Sequence, residues 1–155
     1  MYGILISMKP KLYLESTIIS DLISRPSRDL ITAAHQLITQ VWWEEHRHKF
    51  DIYISQYVLQ EVSAGDAEAV QRRLQVVKVL LLLHMSDHVQ VLASVLIDGK
   101  SFPAQEIRDA FHIAIATVQG MDFLLTWNMK HLANAIMRNT ITAICQSHAY
   151  ALPVI

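Results

Sequence analysis

Residues 110–118, Ala-Phe-His-Ile-Ala-Ile-Ala-Thr-Val, leave almost no side for water. A helix that is apolar all round must be buried. The chain therefore needs packed layers on more than one side of this segment. Asp109 stands at its entrance, and Glu106 lies three residues earlier on the same helical face. A carboxylate at the mouth of a buried helix is costly unless it is solvated, paired or bound to a cation. Gly120 follows, and then Asp122-Phe-Leu-Leu-Thr-Trp-Asn128 reads as a buried strand running into a polar turn.

The length of 155 residues and an apolar content of 52% suit one domain with one core. Met8-Lys9-Pro10-Lys11 reads as its natural start, so residues 1–8 are expected to be an N-terminal extension and 9–155 the domain. The net charge of -1 neither announces nor excludes a nucleic-acid partner, because a local basic patch is enough. One cysteine, Cys145, permits neither an internal disulfide nor a multi-cysteine zinc site, and reads as a small buried hydrophobe. No apolar run approaches the roughly 18 residues of a membrane span. The greasiest stretch, 76–83, is interrupted by Lys78 and ended by His84. The expectation is a cytoplasmic protein with no membrane association.

Strand and helix patterns alternate along the chain. Residues 11–14 read as a strand, followed by a short helix over 18–23 that Ser16 or Thr17 can cap. Glu15 then lies at the carboxyl end of a strand, where open α/β sheets place their sites; the plain alternative is a loop acid. Residues 29–49 have helical spacing, with Leu30, Ala33, Ala34, Leu37, Ile38, Val41 and Trp42 on one apolar face. Residues 51–55 alternate as a second strand, and Ser55 caps a helix over 56–62 that carries Glu61. Asp66 opens a helix through Val77; residues 80–84 read as its end or as a short strand. Ser86-Asp87 begins another helix, ending at 98–100. The buried helix is expected to start at Phe102-Pro103, with proline in its tolerated first turn. Short helices are expected over 129–134 and 140–150, and an edge strand over 152–155. This alternation predicts an α/β layer fold, a mostly parallel central sheet of 4-5 short strands flanked by helices.

A parallel sheet gathers its strand exits at one edge, which would bring Glu15, Glu61 and Asp109 together. Three carboxylates without a cysteine pair suit a hard cation, Mg²⁺ or Mn²⁺. Without a metal such charges repel; with one they hold water and a phosphate in line, the logic of phosphodiester hydrolysis.

Four blocks carry a family resemblance: Tyr13-Leu-Glu-Ser-Thr-Ile-Ile-Ser20, Ser55-Gln-Tyr-Val-Leu-Gln-Glu-Val62, Arg108-Asp-Ala-Phe-His-Ile-Ala-Ile-Ala116 and Asp122-Phe-Leu-Leu-Thr-Trp-Asn-Met-Lys-His131. In this order, over roughly 11–155, the chain resembles a PIN domain, and most of all the VapC-type ribonuclease toxins of toxin–antitoxin pairs. The resemblance implies a three-layer PIN-like fold and a Mg²⁺- or Mn²⁺-dependent endoribonuclease. It also implies a homodimer and a cognate antitoxin bound across the active-site groove. It carries the metal-binding acids to Glu15, Glu61 and Asp109, and a fourth catalytic position to Asn128. The chain departs from the family pattern twice, with glutamate at 15 where aspartate is usual and an amide at 128 where an acid is usual. Asn128 adds no charge for a second ion, which favours one well-held ion. The alternative is a catalytically weak or inactive PIN-like module that binds RNA or protein. Ser16, Thr17, Lys130 and His131 are candidate RNA or phosphate contacts, with capping and a solvated turn as the plainer readings. His112 could bond Asp109 one turn away, but reads first as a satisfied buried histidine. Trp127 reads as packing, with base stacking as the alternative. Asp122 reads as a strand cap and not a ligand.

Overall fold

The computed structural model describes residues 8–99, 102 and 106–155. Seven of the eight residues expected as an extension lie outside that set, and Met8 is exposed. Among the described residues the chain runs β1 (Lys11–Leu14), α1 (Ser16–Ile23), α2 (Leu30–Glu45), a 3-10 turn (Arg47–Lys49), β2 (Asp51–Ser55), α3 (Gln56–Val62), α4 (Ala67–Val77), β3 (Leu81–Leu83), α5 (Asp87–Asp98), α6 (Ile107–Val118), β4 (Phe123–Leu125) and α7 (Ala135–Ser147). The fold is α/β, with one four-stranded sheet in the order β3-β2-β1-β4 and every pairing parallel. Helices flank it, giving the expected three-layer arrangement. The expected last strand shrinks to a single bridge, Val154 to Phe123.

The order of strands positions the site. The chain steps from β1 outward to β2 and β3, then returns to pair β4 on the other side of β1. The strand order thus reverses at the carboxyl end of β1, where open parallel sheets form a ligand crevice. Leu14 pairs in register with Leu125, so Glu15 and Thr126 leave the sheet side by side. The ladder continues one step further through Glu15 N–H to the Leu125 carbonyl, 3.1 Å.

The core is built from Tyr13, Leu14, Ile19, Ile54, Val58 and Leu92 with Ala110 and the buried run His112 to Thr117 of α6. α6 ends in a Schellman turn. Met121 N–H bonds the Ala116 carbonyl at 2.9 Å and Gly120 N–H bonds that of Thr117 at 3.1 Å. Gly120 has φ +67°, which a side chain would strain, and this turn sends the chain straight into β4.

Several expectations need correction. Helix α6 begins at Ile107, with Glu106 in a non-helical conformation before it; Pro103 lies outside the described residues. Glu15, not Ser16 or Thr17, caps α1, its side chain accepting from Thr17 N–H. Residues 129–133 form turns instead of a helix: the Asn128 carbonyl takes Ala133 N–H as well as that of Leu132, and its side chain takes that of His131. The last helix starts at Ala135, since Asn134 caps it through Ile136 N–H.

The apolar face read along α2 is in large part outside: Leu30, Leu37, Ile38 and Val41 are exposed, with Ile31 beside them. The buried residues are Gln36 and Thr39. Gln36 bonds Ser27 N–H and the Arg25 carbonyl, and Thr39 accepts from the Trp127 indole. These hydrogen bonds turn the helix; spacing identifies an apolar face but not which neighbour covers it.

Candidate metal centre

Glu15 enters the site from the end of β1 and is 4% exposed. Its Oε2 accepts from Thr17 N–H (3.2 Å), the Thr17 hydroxyl and the Thr126 hydroxyl (2.8 Å); its Oε1 accepts from the Ser16 hydroxyl (2.7 Å). Ser16 and Thr17 therefore hold the acid in place, and their hydroxyls are directed at it. Nothing local in the sequence marks Thr126. Its place beside Glu15 follows from the register of β1 and β4, which no local pattern encodes. It also accepts Asn128 N–H at 2.9 Å, so one hydroxyl joins the two positions.

Glu61 enters from α3, and His112 from the first turns of α6. His112 Nε2 lies 3.2 Å and 3.3 Å from the two Glu61 oxygens. Its Nδ1 lies 2.7 Å from the Tyr13 hydroxyl, which is also 2.7 Å from Ser55 Oγ. Burial would raise the Glu61 carboxyl pKa. The hydrogen bond and charge of His112, with Ser16 and Arg108, outweigh it, and the net shift is downward. Burial of the Tyr13 phenol drives its pKa far up, so it stays a neutral donor.

One ligand atom each from Glu15, Glu61 and His112 lies within 4.8 Å of the others, a spacing that can hold a metal ion. Glu61 Oε2 is buried and makes no hydrogen bond beyond the 3.2 Å approach of His112 Nε2, so it keeps acceptor capacity for a cation. The donor set fits a divalent ion. Glu15 and Glu61 meet here, but the third group within ligand spacing is His112 and not the expected Asp109.

Asp109 belongs to a second group. It lies within 4.8 Å of Glu106 and His131, again counting one ligand atom from each. Its Oδ1 accepts from Asn128 Nδ2 at 3.1 Å, and its Oδ2 is buried without a partner. Burial pushes the Asp109 carboxyl pKa up against the pull of His112, His131 and Asn128.

No family model, curated protein or solved structure matches this chain.

Asn128 has both ends committed. Its Oδ1 must face a donor, the His131 N–H at 3.1 Å, which leaves Nδ2 for Asp109. As placed it braces an acid and a turn, and its oxygen is already engaged by one donor. His131 points inward, its Nε2 3.6 Å from Glu106 Oε1, and is 9% exposed, so it is not placed to meet RNA; Lys130 is exposed. Trp127 is stacked face to face on His35, ring centroids 3.9 Å apart, which places protein against one of its faces. Asp122 caps β1 by accepting Lys11 N–H at 2.8 Å. No described helix is long and apolar enough to cross a membrane.

Proposed function

We propose that this chain is a divalent-metal-dependent endoribonuclease of the PIN type, the toxin of a toxin–antitoxin pair, working with Mg²⁺ or Mn²⁺, of which the imidazole of His112 favours Mn²⁺. The observation that carries this reading is the meeting of Glu15, Glu61 and His112 at the carboxyl edge of a parallel sheet. A divalent cation bound there would polarise a water and offset charge on the phosphodiester during its hydrolysis. The chain's own residues prepare the place. Four hydrogen bonds hold Glu15, Tyr13 fixes the His112 ring, and His112 in turn orients Glu61. Asp109, one turn before His112 on α6, is the third acid, and Lys130 at the exposed turn is proposed to meet RNA phosphate.

A toxin of this kind acts in the cytoplasm, as a homodimer silenced by a cognate antitoxin across the groove. The aliphatic face of α2 supports the dimer, since a contiguous exposed apolar patch marks an interaction surface. A second reading, a PIN-like binding module without catalysis, is favoured by the engaged amide of Asn128.

Labelled RNA incubated with Mn²⁺ separates the two. Cleavage is expected from the wild type and a fall of about 10²-fold from Glu61→Gln, in line with loss of a metal-site group. Equal cleavage by both proteins removes the assigned site. Absence of cleavage, with RNA still bound, establishes the second reading.

A further inference from the structure

Glu106, Asp109 and His131 share no residue with the Glu15, Glu61 and His112 group, yet they form a second set with ligand spacing. Glu106 precedes α6, Asp109 lies in its first turn, and His131 comes from the turn after β4. His131 Nε2 and Glu106 Oε1 are 3.6 Å apart, close to the separation of two ligands that share one tetrahedral ion at about 2.0–2.2 Å.

Two features mark this as a built site and not a chance cluster of acids. Asp109 is 7% exposed, and its Oδ2 is buried with no partner. A buried carboxylate oxygen left bare costs about 1–3 kcal/mol or more, so its lack of a donor needs a physical reason. The second feature is Asn128, which donates to Asp109 Oδ1 and accepts from His131 N–H. One amide thus fixes two of the three ligands, which come from different elements, as supporting residues do around metal sites.

We propose that Glu106, Asp109 and His131 form a second divalent-cation site, of two carboxylates and one imidazole. Such a mixed set favours Mn²⁺, Co²⁺ or Zn²⁺ over Mg²⁺, which prefers oxygen alone. Three protein ligands leave coordination positions open to water or an anionic oxygen. Position 128, where the resemblance expects an acid, then serves the site as a brace, while His131 and Glu106 supply the ligands. The inference concerns binding and does not depend on RNA cleavage, although Asp109 takes part in both readings.

The test uses the full chain, stripped of metal and titrated with Mn²⁺ (free ion counted by electron paramagnetic resonance) and with Co²⁺ (visible absorption). The wild type is expected to bind two equivalents of Mn²⁺. Glu106→Gln and His131→Asn are each expected to bind one and to lose one component of the Co²⁺ spectrum. Glu106 is part-exposed, so Glu106→Gln leaves the fold intact, and circular dichroism checks both variants. A Glu15→Gln, Glu61→Gln double variant should keep the equivalent that those two lose. A thousandfold excess of Mg²⁺ should fail to displace it. If Glu106→Gln and His131→Asn keep the full stoichiometry and spectrum, metal lies elsewhere, such as on surface histidines, and the proposal is overturned. If the wild type binds only the equivalent that the double variant loses, it is overturned as well. Loss of RNA cleavage with two equivalents still bound would count against the nuclease reading alone.

Discussion

The Tyr13 hydroxyl and His112 Nδ1 lie 2.7 Å apart inside the core, linking β1 to α6 directly beneath the candidate metal centre. With Ser55 and Glu61 they form a line: Ser55 Oγ, Tyr13 hydroxyl, His112 ring, Glu61 carboxylate. A single set of proton positions satisfies every neutral member. Ser55 donates to Tyr13, Tyr13 donates to Nδ1, and Nε2–H donates to Glu61. A cation bound through Nε2 would need the opposite tautomer, with Nδ1–H donating to Tyr13 and Tyr13 donating to Ser55. Tyr13 serves both arrangements because a hydroxyl donates and accepts.

Tyr13→Phe keeps the ring and removes that hydroxyl. It leaves a buried imidazole nitrogen without a donor, so a loss of about 1–3 kcal/mol is expected in urea unfolding. Mn²⁺ affinity at the Glu15, Glu61 and His112 group should fall about 10- to 100-fold, as when a residue orienting a ligand is lost. A variant that is less stable but binds Mn²⁺ unchanged would make Tyr13 structural only.

Asn128→Asp restores the acid that the family pattern expects. It also removes the donor to Asp109 Oδ1 and puts a second carboxylate near 3.1 Å from the first. In EDTA the variant should be less stable by about 1–3 kcal/mol. In Mn²⁺ the deficit should shrink, because a cation offsets like charges that otherwise repel. Thermal melting with and without Mn²⁺ reads both, and a deficit indifferent to metal would argue against a cation beside Asp109.

Asp109 gives a pH dependence of known sign. Burial raises its folded-state pKa above the ordinary 3.8, with His112, His131 and Asn128 opposing in part. The folded protein then binds this proton more tightly than the unfolded chain. Its contribution to stability is full below the ordinary value and is lost as pH rises through the raised one. Glu61, shifted down, acts oppositely: its contribution is lost as pH falls through its lowered value. The difference in melting temperature between Asp109→Asn and wild type, both in EDTA, isolates Asp109. It should grow in favour of the variant as pH rises through the raised value. A flat difference would show that Asp109 carries no such cost.

Leu37→Glu with Ile38→Glu tests the outward face of α2. Both residues are more than half exposed, so the monomer should stay within about 0.5 kcal/mol of wild-type stability. Light scattering after gel filtration is expected to read a dimer for the wild type and a monomer for the variant. A wild type that is monomeric at high concentration, or a variant that stays dimeric, would place any dimer contact on another surface.

The alternation of strands and helices, the burial of most of 110–118 (Phe111 and Val118 are half-buried) and the placing of Glu15 and Glu61 beside one sheet edge are legible along the chain. Side-chain periods of 2 and 3.6 residues are local, so they can be read without knowing what packs where. The nearness of Glu106 and Asp109 is legible from their spacing of three residues, although Glu106 caps the helix from outside and does not share its face. Long-range packing set the remaining contacts. The register of Leu14 against Leu125 put Thr126 on Glu15, the hydrogen bonds of Gln36 and Thr39 turned the aliphatic face of α2 outward, and the His112 ring found Tyr13 and Glu61 in place of Asp109. Asn128 likewise became a brace between two elements. Each of these contacts joins residues far apart in the chain. They are selected by strand register and helix rotation, which depend on the packing of the whole layer and leave no mark in a local pattern.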